Sequence, residues 1–451
     1  MLPRLHHAFG AAATLNAIAY LQSFLGRARG RTDLLFALGL AAGLRFGVFL
    51  AAVSSPRRFW SQDDREYLGI ARHLHDSYLV SFGHWFDLGL RRPPMYPLFL
   101  RGIFEVFGWH YAAVVVAQIV ISVATVGLVY WLAGLLLPGR LPFVAAFLLA
   151  IDPASIVFAN QLMTETVFAF LLTLALCLLV TSMQRWQATG AALAGLLLGG
   201  AVLTRPVALY LPLLLLSAVI AVSRGRRRAS LVLAAALLAG FAVPAGGWLW
   251  RNHHTTGVAT ISTIEGYNMW HYRAVGALVE SGQKPWDARA FVEAQLAPHV
   301  RRGENAAEIS REQLRVGLHV LADHPVGAAK SWGRGEARLL FGPARAETAT
   351  LLVGRTKVRE PWLRAAVVGN ELITLATLVA AAMGVAALAM GRFGASKLWL
   401  LVVAAAYLLV VSAGPEAYSR FRVPVAPLLV VLAAAAVPWF KRGRGQAVRD
   451  V

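Results

Sequence analysis

Apolar runs long enough to cross a bilayer, which takes about 17–25 residues, recur along most of this chain. They fall at roughly 34–53, 112–137, 142–160, 166–183, 188–204, 207–223, 229–250, 364–390, 397–414 and 422–440. Such runs leave little choice of fold, because a lipid-embedded backbone must satisfy its own hydrogen bonds. The expectation is an all-α polytopic membrane protein with about ten transmembrane helices. The third run is the weakest, interrupted by Asp152 and Pro153. Composition agrees: 58% of the 451 residues are hydrophobic and 15% charged, against roughly 25% charged in soluble domains.

The net charge of +20 would suggest nucleic acid in a soluble chain. Here the basic residues sit between apolar runs, so no nucleic-acid partner is implied; the partner is the bilayer. If the runs alternate, GRARGR (26–31), Arg140, Arg185, RGRRR (224–228), GRFGASK (391–397) and KRGRG (441–445) all fall on one side. By the bias of Lys and Arg toward the cytoplasmic side that side is the cytoplasm, with both termini. The stretch 8–25 is short and ends in a basic run, which suits an interfacial helix. One cysteine, Cys177, excludes an intrachain disulfide.

Two segments are too polar for the membrane and too long for turns: an outer loop at 54–111 and a second at 251–363. The organisation expected is an N-terminal membrane module, 1–250, that includes loop 54–111. An external, mostly helical loop domain, 251–363, and C-terminal helices with a basic tail, 364–451, follow. In the loop domain Leu314, Leu318 and Leu321 repeat at helical spacing before Pro325.

Unusual polar groups collect on the outer side. They are Asp63 and Asp64, the run LRRPPMYPLFL (90–100) with Arg91 and Arg92, LMTETVF (162–168) with Glu165, TRPVALY (204–210), WLWRNHHTTG (248–257) with Arg251, and GPEAYSRFRVP (414–424) with Arg420 and Arg422. Paired carboxylates suit a general base or a metal site. Arginines beside them suit phosphate, whose oxygens match the guanidinium fork. Plainer readings stand beside these: Asp63 and Glu165 as helix caps, the arginines as interfacial anchors, and His73, His75, His253 and His254 as surface residues.

The motifs also resemble a known family. DDREYLGIAR (63–72), with Tyr67 three after the acidic pair, is similar to the first outer loop of the GT-C superfamily of polyprenyl-phosphate-sugar glycosyltransferases. RRPPMYPLFL (91–100) resembles the Pro-Pro-x-Tyr-Pro segment, with Tyr96, of the branch holding bacterial relatives of protein O-mannosyltransferases and the lipid A aminoarabinose transferase. LMTETVF resembles its second acidic motif, WLWRNHHTTGVATISTIEGYNMW (248–270) a later stretch, and SRFRVPVAPLLVVLAA (419–434) the opening of its final span. The resemblance implies Asp63 as catalytic carboxylate with Asp64 as partner, and Glu165 as a second acid orienting a sugar. It also implies Arg92 on the donor phosphate, with Arg251 and Arg420 or Arg422 as further phosphate ligands. The sequence departs where the aminoarabinose transferase carries a basic residue and this chain has Glu66, which leaves the donor sugar open.

The function so implied is transfer of a sugar, with inversion, from a polyprenyl-phosphate donor to a hydroxyl at the outer face of the cytoplasmic (inner) membrane. The acceptor is a glycolipid, polysaccharide or protein. No cofactor is demanded, though Asp63 is compatible with a divalent metal. The rivals are a flippase of lipid-linked sugars, which would place acids at mid-membrane in two related halves, and a ligase using a lipid-pyrophosphate donor.

Overall fold

The apolar runs become helices because each must satisfy its backbone within itself. The computed structural model describes residues 28–61, 63–222, 226–300, 303–354, 361–391 and 397–437, and among these no strand occurs. The stretch 8–25 and the basic segments 224–225, 392–396 and 441–445 lie outside the described residues.

Helix α1 (Ala28–Ala52) leads into the first loop, which holds α2 (Asp64–Arg72), α3 (Leu74–Tyr78), α4 (His84–Arg91) and α5 (Met95–Phe107). Then come α6 (Tyr111–Leu136), α7 (Leu141–Ala150), α8 (Pro153–Ala159), α9 (Glu165–Arg185), α10 (Ala188–Val202), α11 (Leu211–Val222) and α12 (Arg227–Thr256). The second loop carries α13 (Ile264–Asn268), a π-helical turn over Met269–Ala274, α14 (Val275–Glu280), α15 (Pro285–Leu296), α16 (Ala306–Asp323), α17 (Pro325–Phe341) and α18 (Arg345–Val353). The chain closes with α19 (Pro361–Ala389), α20 (Leu398–Ser412) and α21 (Ala426–Ala434).

All ten expected runs fall on helices. Among the described residues five helices are long and apolar enough to cross a membrane, or six with α7 and α8 taken as one span bent by 51°. The remaining apolar helices are shorter.

That bend lies at Asp152-Pro153, the interruption visible in sequence. A bend frees carbonyls at the end of α7, and Arg45 of α1, fully buried, takes them up. Its Nη1 donates to the Ala150 oxygen at 3.0 Å, its Nη2 to Leu149 at 3.3 Å and its Nε to Ser122 Oγ at 2.8 Å. Asp152 starts α8 by accepting the Ser155 amide at 2.8 Å. Helices α10 and α12 pack against each other through glycine: a Cβ on Gly195 would strike the Leu237 carbonyl, and one on Gly240 the Ala192 carbonyl. Small residues at such crossings let backbones approach, the packing open to helices without a solvent-driven core.

In the second loop, α16 ends at the expected place and a Pro starts the next helix. Its buried stripe differs from the leucine repeat: Val316 and Val320 face the small core with Ala274, Leu278 and Val292, whereas Leu318 is half exposed.

Candidate active site

Six separate segments meet at the loop end of the bundle around a cavity of about 230 Å³. Asp63 lines it. It is the N-cap residue of α2, yet its side chain makes no capping bond. Its Oδ1 accepts from Arg92 Nη2 at 2.9 Å and its Oδ2 from Arg420 Nη1 at 2.7 Å. The carboxylate is committed to two guanidinium groups, so the capping reading of its side chain is not realised.

Arg92 owes its position to proline. As the residue before Pro93 it is pushed out of helical geometry and is extended (φ −115°, ψ 114°), ending α4. The Tyr78 hydroxyl donates to its carbonyl at 3.2 Å. Beyond Asp63, its Nε donates to Glu66 Oε2 at 2.6 Å and its Nη1 lies 3.4 Å from the Tyr67 hydroxyl. Arg91 reaches Glu66 Oε1 at 3.4 Å and lies over the Tyr267 ring. Glu66, which breaks the family pattern, is thus an acid holding both arginines.

Glu165, the first residue of α9, is completely buried. It pairs with Arg205, and Arg420 Nε lies 3.7 Å from its Oε1. Arg205 repeats the device at Arg92: it precedes Pro206, is extended (φ −144°, ψ 115°) and aims inward, with Nη1 3.1 Å from Thr164 Oγ1. Arg420 sits on a 3-10 turn, Ser419–Arg422, between the rings of Tyr418 and Phe421. Arg92, Arg205 and Arg420 therefore converge on Asp63 and Glu165, with Glu66 holding Arg92 from the side. Burial alone would raise the pKa of Asp63; Arg420 and then Arg92 outweigh it and bring it down to about 2.

Several expected residues lie elsewhere. Asp64 faces away: its Oδ1 accepts the Arg65 amide at 2.7 Å and its side chain lines a different cavity, so the two acids do not act on one point. Neighbouring positions on a helix lie about 100° apart, so adjacency in sequence separates the two side chains. Tyr96 stands behind Tyr67, edge to face at 5.1 Å, with its hydroxyl on Gln118 Oε1 at 2.7 Å. Arg422 binds the Leu339 and Leu340 carbonyls at the end of α17, at 3.2 and 2.7 Å. Arg251 donates to the Tyr78 carbonyl at 2.6 Å between Trp248 and Phe86. These three arrange the walls rather than the cavity.

Sequence reasoning set TRPVALY (204–210) and GPEAYSRFRVP (414–424) on the outer side without singling out Arg205 or Glu416, and it did not single out Glu265 or Arg273; all four line the cavity. Arg205 had a signal, an arginine-proline pair at the end of an apolar run, as at Arg92. Arg273, 3.0 Å from Glu416, had none in its local sequence.

No group of three or more His, Cys, Asp or Glu is placed to hold a metal among the described residues. Both oxygens of Asp63 face arginines, and Glu165 faces two more guanidinium contacts. This donor set offers guanidinium groups to a bound anion.

Part of the sequence and the fold have counterparts. Residues 91–250 match the family model described as dolichyl-phosphate-mannose-protein mannosyltransferase, a span with Arg92, Glu165 and Arg205 but without Asp63 or Arg420. In fold, the archaeal oligosaccharyltransferase AglB from Archaeoglobus fulgidus, in complex with an inhibitory peptide and a dolichol-phosphate, is 15% identical. The match covers 95% of this chain and 52% of that one, at a TM-score of 0.56. The apo form of the Archaeoglobus fulgidus enzyme gives 17%, 92%, 52% and 0.53. ArnT from Cupriavidus metallidurans bound to undecaprenyl phosphate is 16% identical over 89% of this chain and 77% of that one, at 0.41. This chain spans about half the length of the oligosaccharyltransferase. No curated protein matches it by sequence. The likeness to the oligosaccharyltransferase is one of fold, and the polytopic helical fold read from the sequence is the fold found.

Proposed function

From a GT-C fold and a mannosyltransferase-family segment, we propose that this protein transfers a sugar from a polyprenyl-phosphate donor to an acceptor hydroxyl at the outer face of the cytoplasmic membrane. The observation that carries the reading is Asp63 held between Arg92 and Arg420, with Arg205 beside them. Three guanidinium groups, paired with Asp63, Glu165 and Glu66, form an anion site whose present anions are the protein's own side chains.

A donor phosphate entering the cavity competes with Asp63 and Glu165 for those arginines. Its oxygens match the guanidinium fork in two places at once. Drawing Arg92 and Arg420 to the phosphate removes what holds the Asp63 carboxyl low, so donor binding makes the base more basic. The acceptor oxygen then attacks the anomeric carbon while the carbon–oxygen bond to phosphate breaks. The hydroxyl proton passes to Asp63, the configuration inverts, and polyprenyl phosphate leaves on the arginines. Val207, Leu209 and Val411 line the apolar side of the cavity toward α20, a surface suited to the lipid tail. The acidic groups stand at helix ends, and that placement favours transfer over a flippase.

The basic segments between apolar runs support an external side for the cavity. The test is incubation of the purified chain with a panel of polyprenyl-phosphate sugars and pyrophosphate-linked counterparts, followed by release of lipid phosphate. Consumption of a monophosphate donor supports the reading, consumption of pyrophosphate donors alone moves it to a ligase, and consumption of none overturns it.

A further inference from the structure

The first loop holds a second cavity, of about 340 Å³, within the roughly 300–1,000 Å³ usual for small-molecule sites. Helix α2 separates it from the first. Asp63 and Tyr67 turn to the arginine cavity, whereas Asp64, Leu68, Gly69 and Arg72, on the other helical face, turn to this one.

Its walls are aromatic. Trp60, Trp85 and Trp109 reach it from three segments. Trp85 stacks on His73 at 4.3 Å and lies so close to α2 that a Cβ on Gly69 would meet its ring at 2.6 Å. Arg72 covers the Trp109 ring at 4.9 Å.

Two polar atoms here make no hydrogen bond of good geometry: Asp64 Oδ2, on a residue 2% exposed, and the buried Trp60 Nε1. One is an acceptor and the other a donor, and hydroxyl groups serve both. Burial raises the pKa of Asp64 against the opposing pull of the Arg65 and Ser61 amides, and a hydroxyl donor would relieve that burial. A buried carboxylate repels an anion, and Arg65 and Arg72 on the same cavity oppose a cation. A neutral, hydroxyl-rich ring meets all these demands, its apolar face on tryptophan and its edge on the two polar atoms.

We propose that this cavity binds a neutral pyranose belonging to the acceptor, with Asp64 accepting from its hydroxyls and Trp60 donating to them. The acidic pair then divides its work, Asp63 on the reaction and Asp64 on the acceptor, and the acceptor is a glycan. The word acceptor rests on the transfer reading; the binding does not.

The test is saturation-transfer NMR of methyl mannoside, glucoside and galactoside against the full chain, in a detergent without a sugar headgroup. Saturable binding of at least one glycoside is expected. Asp64→Asn should weaken it about tenfold, roughly the margin of a charge-assisted bond over a neutral one. Trp85→Ala should weaken it at least as much, and Trp85→Phe, which keeps a ring, should stay within about threefold. Melting transitions of each variant report the folded fraction. No saturable binding by wild type, or equal binding by wild type, Asp64→Asn and Trp85→Ala, overturns the proposal. Wild type that binds a glycoside but consumes no lipid-linked donor leaves the cavity assignment standing and removes the transfer reading instead.

Discussion

Replacing Arg420 by alanine separates an anion site from a structural anchor. Arg420 Nη1 is 2.7 Å from Asp63 Oδ2 and its Nε is 3.7 Å from Glu165 Oε1, with the side chain 15% exposed. Its loss leaves each acid one cation: Asp63 keeps Arg92 at 2.9 Å, and Glu165 keeps Arg205. Folding therefore suffers less than the roughly 3–5 kcal/mol seen when a buried pair loses its only partner. Donor binding suffers more directly, because a charge-assisted hydrogen bond to phosphate contributes about 1.5–3 kcal/mol. At 1.4 kcal/mol per factor of ten, the donor requirement rises about 10- to 150-fold. Lysine should recover only part, since one point charge cannot serve two oxygens as the fork does. A second readout is independent of affinity. Arg420 is the stronger of the two cations holding Asp63 down, so the acid side of the kcat/KM profile should move to higher pH in Arg420→Ala. Initial rates at varied lipid-phosphate donor, normalised to folded protein, decide the matter. Donor curves for the alanine variant that overlay wild type, or full recovery with lysine, would refute the reasoning.

Three further outcomes are expected. Arg45→Ala removes the side-chain donor to the buried Ala150 carbonyl at the bend between α7 and α8, while Leu149 keeps the Asp152 amide; an unpaired buried carbonyl costs about 1–3 kcal/mol, so thermal stability in detergent should fall clearly without a change in donor KM. A reporter fused after Arg228 should behave as cytoplasmic and one inserted near Gly303 as external; the same side for both would break the alternation of spans. The Asp63 carboxyl, at about 2 in the fold against 3.8 free, contributes about 2 kcal/mol. The contribution is present above pH ~3.8 and lost as pH falls toward 2. The stability gap between wild type and Asp63→Asn should accordingly narrow as melts are taken from pH 6 down to 3.

The membrane helices were legible because apolar run length maps onto bilayer thickness, and the bend in the third run because Pro153 cannot continue a helix. Arg45 was not, since only folding brings α1 against the freed carbonyls of α7. In the cavity, Asp63, Tyr67, Arg91, Arg92 and Arg420 stand together, with Glu165 buried behind Arg205 and Arg420. Motifs ending in proline fix such arginines locally. Asp64 and Arg422 went elsewhere because facing is a property of helical rotation, which sequence proximity hides: Arg422 is two residues from Arg420 yet caps α17. Arg205 was legible in principle through its proline. Glu265 and Arg273 were not, because only the second loop's packing carries them to the cavity.

The claim on which the rest depends is that Asp63 is the base in transfer from a lipid phosphate. Asp63→Asn keeps the shape of the side chain and leaves Arg92 on Glu66 and Arg420 beside Glu165, so the fold should persist. Turnover of the polyprenyl-phosphate donor that wild type consumes, measured at saturating donor and acceptor per folded molecule, should drop by about 100-fold or more, in line with general-base catalysis. Turnover within a few-fold of wild type would contradict the account and reduce Asp63 to the residue that starts α2.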